Sequence, residues 1–423
     1  MHQKYISKKY DILSTSISIN SLNWKIILFV FALLIPTEFS LNFVELRLTV
    51  YRLLLLLAFV PCLIKVMHDK NFKILAADWL FLGYAGWVLL SLILHLGIVG
   101  GMKSGGILMI ESFGSYLLAR SFIRSEGEYA GLVKLIFLII IALSLLSIPE
   151  FLIGKNLFRP NIEHLDFRFG FVRAFGPFDH PILYGMYCAS AVSLVLYVPI
   201  RNMQDMGTHI GRALWVTIAA FISISSGALA AAIVQFALAL WRKLFGGFSA
   251  KWRLLLIVIF ILYLIIDSVS NRTPIHVLLH RLTFSQHTAY YRLEIWKWGT
   301  RNNVAENPWF GIGFGEWVRP EWMHSSSIDN FWLVIMIRYG LPSFVLLALG
   351  IFLLFFVVKG RSLLSGPVRM MRTGWCFSLI GLIVAGCTVH FWNQMHVWFF
   401  FLLGSGAWIA SKGDCASSNL PRK

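Results

Sequence analysis

"LVKLIFLIIIALSLLSIPE", residues 132–150, carries no charge between Lys134 and Glu150. An apolar run of that length matches the hydrocarbon thickness of a bilayer when wound as a helix, and a helix satisfies its own backbone where no water can. Similar runs recur along the 423-residue chain, which is 58% hydrophobic and 13% charged, with a mean hydropathy of +0.72. Such a composition lies outside the range of soluble globular domains. The expected fold class is an all-α integral membrane protein of about 12 transmembrane helices with one large extracytoplasmic loop.

Hydropathy places the crossings near residues 24–40, 47–65, 76–96, 105–120, 132–150, 182–200, 211–224, 227–241, 254–269, 340–358, 374–390 and 396–411. Lys and Arg then gather at one set of ends, as with Lys65, Lys70 and Lys73, Arg242 and Lys243, and Arg369 and Arg372. By the positive-inside rule those ends and both termini are cytoplasmic. The basic segment before Trp24 shows no small-residue cleavage site and is expected to remain as a cytoplasmic tail. Four parts follow: residues 1–150 with helices 1–5, 151–269 with the first outer loop and helices 6–9, the large outer loop 270–338, and 339–423 with helices 10–12 and the tail.

The net charge of +17 is mostly topological, because the basic residues sit in short loops between spans. No nucleic-acid partner is expected. The five cysteines show no CxxC spacing and imply neither a disulfide framework nor a zinc site. His276 and His280 in "HVLLH" have the i, i+4 spacing of a metal pair but lack the glutamate of HExxH and a clear third ligand, so no metal is expected. Gly311, Gly313 and Gly315 in "ENPWFGIGFGEW" have neither a preceding strand nor a following helix, and read as a turn rather than a nucleotide loop.

The outer loops hold the polar chemistry. "RAFGPFDHP", residues 173–181, places a Gly-Pro turn and a helix-starting Pro181 beside Arg173 and His180. Arg173 is open to two readings, an interfacial residue snorkelling to headgroups or the ligand of a surface anion. "TAYYRLEIWKWGTRNN", residues 288–303, reads as an amphipathic helix with Tyr291, Ile295 and Trp298 on one stripe and Arg292 and Trp296 on the next. It either lies on the bilayer surface or turns Arg292 to the same anion as Arg173. In "MHSSSIDNFWL", Asp329 and Asn330 stand where a helix is capped, while His324 and Asp329 are the groups able to take a proton from a sugar hydroxyl.

The order of these parts, "RAFGPFDHPILYG", "SSGALAA", "YRLEIWKWG", "NPWFGIGFGEW" and "SIDNFWLVIMIRYGLPS", resembles the O-antigen polymerase and ligase superfamily over roughly residues 170–345. These are bacterial inner-membrane glycosyltransferases that use undecaprenyl-diphosphate-linked glycans on the periplasmic side. The resemblance implies a transfer without metal or other cofactor, in which Arg173 and Arg292 bind the lipid diphosphate. His180 and Asn330 would support the site. Ligase-type members carry His-x-His-Asn where this chain has "SIDN", so Ser327 and Asp329 replace the two histidines and Asn330 matches. Asp before Asn is the polymerase pattern.

The resemblance therefore implies a polymerase that moves a growing glycan onto a new lipid-linked repeat unit, with Asp329, or else His324, as general base. An aspartate is a weak base in water, so that role needs a buried setting. Membrane lipids, a flippase and a chain-length regulator are the partners implied. The alternatives are a ligase that delivers the finished glycan to lipid A core, a flippase or other transporter of the lipid-linked unit, and a scaffold without catalysis.

Overall fold

The computed structural model describes residues 19–43, 46–159, 166–199, 206–271, 273–274, 277, 286–361 and 364–411. The His276 and His280 pair, the basic segment before residue 19 and Cys415 lie outside the described residues.

Helix α1 (Trp24–Leu33) leads into a hairpin of β1 (Ser40–Phe43) and β2 (Leu46–Thr49), and then α2 (Val50–His68). Helix α3 (Ala76–Met109) contains Gly97 at φ 73° and ψ 172°, outside helical space. Leu89 and Gly105 would stand about 24 Å apart on a straight helix, yet a Cβ on Gly105 would lie 2.9 Å from the Leu89 Cα. The chain thus doubles back at Gly97, and the predicted crossings 76–96 and 105–120 lie on opposite arms of a helical hairpin.

A π turn at Ile110–Gly114 joins α3 to α4 (Ser115–Phe122). Helix α5 (Glu126–Ile153) contains the 132–150 stretch. Its start is fixed by a capping box: the Ser125 hydroxyl accepts from the Glu128 amide at 3.2 Å, and the Glu128 carboxylate accepts from the Ser125 amide at 2.9 Å. Gly154 ends it in the left-handed region at φ 73°.

Beyond a second hairpin, β3 (Phe167–Arg168) and β4 (Phe171–Val172), come α6 (Pro181–Ser190), α7 (Val192–Tyr197), α8 (Met206–Phe221), α9 (Ser226–Leu244) and α10 (Lys251–Val269). They are followed by α11 (Gln286–Gly299), α12 (Phe331–Tyr339), α13 (Leu341–Lys359), α14 (Gly366–Ala385), α15 (Asn393–Ser405) and the short α16 (Trp408–Ser411).

Among the described residues, seven helical segments are long and apolar enough to cross a membrane, the segment 76–122 counting as one. The protein is a mostly helical, membrane-embedded chain with little sheet. Exposed apolar side chains such as Leu57, Met67, Ile98, Phe352 and Phe356 coat the outside, as a lipid solvent requires. The bundle is built around α15, whose residues from Gln394 to Ser405 are all buried and which packs on α4 and α6. Helix α10 is the opposite case, with no buried residue.

Charges inside the bundle are paired, as burial demands. Arg52 Nε lies 2.7 Å from Glu111 Oε1, and Arg120 forks onto Asp78 at 3.0 and 2.7 Å.

The structure shortens two predicted crossings: the run 24–40 is helical only to Leu33 and enters a strand at Ser40. The run 374–390 ends as a helix at Ala385, and residues 386–392 form a loop, because "VHFWNQ" brings polar groups that a lipid-facing helix would leave unsatisfied.

The glycine-rich stretch is a turn, and a structural one. The amides of Ile312 and Gly313 donate to the carbonyls of Ile337 and Arg338 at 2.9 Å each, and Leu341 N donates to Pro308 O at 2.7 Å. Trp87 Nε1 donates to Tyr339 O at 3.1 Å and Ser91 to Phe310 O at 2.6 Å, which ties the turn to α3. Gly340, at φ +84°, sits in this clasp with the position of an added Cβ 1.9 Å from Trp309 O. Gly340→Ala should therefore cost about 3 kcal/mol or more through backbone strain and overlap. The check is the melting temperature of the detergent-solubilised protein, which should fall by several degrees; an unchanged value would contradict the clasp.

Candidate functional site

Glu150, at the end of α5, accepts from the amides of Gly176 at 2.9 Å and Phe175 at 3.2 Å and from Asn156 Nδ2 at 2.8 Å. This fixes the turn that follows Arg173, with Gly176 at φ +54°. Asp179 accepts from Thr37 Oγ1 at 2.6 Å, Arg159 Nη2 at 2.6 Å and Asn393 Nδ2 at 2.7 Å, which locks the same loop to both ends of the chain's core. His180 caps α6, its Nδ1 accepting from the Ile182 amide at 3.1 Å.

On this frame Arg173 is buried, its Nη1 2.6 Å from Asp166 Oδ2 and its Nε 3.1 Å from Ser223 O. A buried, paired guanidinium is not snorkelling to headgroups.

Helix α11 keeps the predicted stripes. Ile295 is buried with Trp317, Met323, Ile328, Leu333 and Ile337, while Tyr291 and Trp298 pack against them. That apolar stripe therefore rests on a small core of the loop itself rather than on the bilayer. The adjacent stripe, with Arg292 and Trp296, is left to line cavities.

Two cavities meet here. A polar chamber of about 660 Å³ is lined by Arg168, Arg173, Arg292, Arg338, Asp329, His180, His390 and Trp392, among others. An apolar groove of about 820 Å³ runs between α12, α13 and α14 past Trp332, Phe344, Ala348, Ile351, Phe355 and Ile383. Arg292 and Asp329 line both. The groove follows α13 from Phe344 to Phe355, about 16 Å of helix and so about half of a hydrocarbon core.

The four arginines are held differently. Arg168 Nη1 donates to Ile224 O at 2.9 Å and Arg338 Nη1 to Gly313 O at 3.1 Å. Arg292 Nε and Nη1 are buried and find no hydrogen-bond partner among the described residues. Burial draws the Arg292 guanidinium below its ordinary pKa while Asp329 opposes that shift, and Arg168 reinforces it. Burial, then Arg173, pushes the His180 imidazole down to about 4, which leaves it neutral at physiological pH. A chamber with several cationic forks and one carboxylate can hold a multiply charged anion and accept a proton beside it.

Of the six residues singled out in the sequence, Arg173, Arg292, His180 and Asp329 converge on the chamber. Asn330 lines the groove and acts as a cap and tether, accepting from Leu333 N at 3.0 Å and donating to Cys387 O at 2.9 Å. His324 is exposed and lines neither cavity, while the neighbouring Ser325 amide donates to the Tyr291 hydroxyl at 3.2 Å.

Arg168, Arg338, His390 and Trp392 were not singled out. The polar interruption of the last apolar stretch by "VHFWNQMH", residues 389–396, is the signal that could have found the latter two. Comparison with known proteins finds no matching family model, and no curated protein matches the chain.

Proposed function

We propose that the protein is a polysaccharide polymerase of the bacterial inner membrane, with about twelve crossings, cytoplasmic termini and the chamber open to the periplasm. The observation that carries this reading is the junction of a cationic chamber with an apolar, laterally placed groove at Arg292 and Asp329. That pairing fits a ligand with an anionic head and a long hydrocarbon tail, the chemistry of undecaprenyl diphosphate. The glycan would extend from the diphosphate into the chamber.

In the proposed reaction a hydroxyl oxygen of the incoming lipid-linked unit attacks the anomeric carbon of the growing chain. The bond from that carbon to the diphosphate oxygen breaks, and the hydroxyl proton passes to Asp329. The departing diphosphate takes the bonding pair, and Arg292 with Arg173 stabilises its growing charge. A ligase would share the donor site and differ only in acceptor. A transporter is less well supported, since the buried Glu111 and Arg120 are tied to the part-buried Arg52 and Asp78 instead of lining an open path.

Filling the groove tests the tail assignment. Ala348→Trp should lower binding of undecaprenyl diphosphate at least about tenfold, the loss of one to two kcal/mol of apolar contact. Native mass spectrometry of the purified protein in lipid nanodiscs reads this directly. Equal binding by the variant would place the tail elsewhere.

A further inference from the structure

The chamber is lined by two unlike groups of side chains. The guanidiniums of Arg168, Arg173, Arg292 and Arg338 are one; the rings of His180, His390 and Trp392, which bring no fixed charge, are the other. We infer that the His180, Trp392 and His390 cluster is the subsite for the acceptor sugar, holding the hydroxyl-bearing residue of the incoming unit in the same chamber as the diphosphate. This rests on the polymerase reading and assigns its second substrate.

The three rings form one surface. Trp392 stands with its ring centre 5.5 Å from that of His180 at 61°, and 5.8 Å from that of His390 at 24°. A half-buried indole offers a flat apolar face beside polar atoms, which suits a ring that is apolar on its C–H face and hydroxylated at its rim.

The imidazoles supply the polar part. His180 Nδ1 accepts the Ile182 amide, so the neutral ring carries its proton on Nε2 and is a donor there. His390 Nδ1 is buried without a partner among the described residues. Burial, with His396 and Arg338 nearby, pushes His390 down to about 3, so it too is neutral. Neutral imidazoles both donate and accept, as a sugar hydroxyl does, whereas they pair poorly with a diphosphate. The polar stretch continues inward, where Gln394 and His396 are buried with side-chain atoms that also lack partners among the described residues. Leaving so many polar atoms unpaired on one segment is costly unless hydroxyls or waters occupy the site.

The test is residue-resolved protection in nanodiscs, with diethylpyrocarbonate labelling His390 and phenylglyoxal labelling Arg292, both read by peptide mass spectrometry. The probes are undecaprenyl diphosphate without sugar and the repeat-unit oligosaccharide of the host released from its lipid. The oligosaccharide should cut His390 labelling at least fivefold and leave Arg292 labelled, and Trp392→Ala should abolish that protection while the bare lipid still protects Arg292. The bare lipid diphosphate should do the reverse. Protection of His390 by the bare lipid, or none by the oligosaccharide, would overturn the subsite. Failure of the lipid to protect Arg292 would instead sink the donor reading and leave the sugar subsite standing.

Discussion

Arg292→Ala should slow chain extension by about 10²- to 10³-fold, the loss expected when one fixed donor to a developing oxyanion is removed from a water-poor site. Arg292 is the arginine on which this prediction is sharpest because of what the others already hold. Arg173 is bound to Asp166 and Ser223 O, and Arg338 to the Gly313 carbonyl, so part of each fork is spent on the fold. Arg292 has Nε and Nη1 buried with no partner among the described residues, at the junction of chamber and groove. Removing it strands no carboxylate in a direct ion pair, so the melting temperature should hold.

Arg292→Lys keeps the charge but loses the planar fork, and should fall between the wild type and the alanine variant. Initial rates with purified protein and lipid-linked repeat units give the comparison. A rate for Arg292→Ala within threefold of wild type would contradict the assignment.

Asp329→Asn should lower the same rate by about 10²- to 10⁴-fold, the usual worth of a positioned general base. The substitution keeps size and shape, so lipid binding should survive. It should even tighten slightly, because a negative charge beside the anion is removed. This split separates Asp329 from Arg292, whose loss weakens binding and chemistry together. Unchanged rates in Asp329→Asn would move the base elsewhere in the chamber, with His390 the first group to examine.

Local pattern made much of this legible. Among the described residues, seven segments are long and apolar enough to span, because run length and the cost of unpaired backbone in lipid leave little choice there, whereas the runs 24–40 and 374–390 are helical only to Leu33 and Ala385. The stripes of α11 were readable from spacing alone, since Ile295 and Arg292 fall on different faces whatever lies beneath. What lay beneath was not readable: the small core around Trp317 and Leu333 joins residues distant in sequence.

The same limit explains the missed site residues. Arg168 and Arg338 look in sequence like ordinary loop-end cations, and only the tertiary fold brings them to the chamber with residues 225–226 and 326–329, His390 and Trp392. Gly97 is a single glycine in a glycine-rich stretch, and its reversal of α3 depends on Ile93 and Leu89 packing against Gly101 and Gly105. His324 went the other way, close in sequence to Asp329 but outside both cavities.

The most direct measurement is size-resolved analysis of glycan made by the purified protein in nanodiscs from the lipid-linked repeat units of its host. The account predicts a ladder of lengthening chains that remain on undecaprenyl diphosphate and that Arg292→Ala does not form. Single repeat units left unextended by the folded wild-type protein, or a glycan moved only to a different final acceptor, would contradict it.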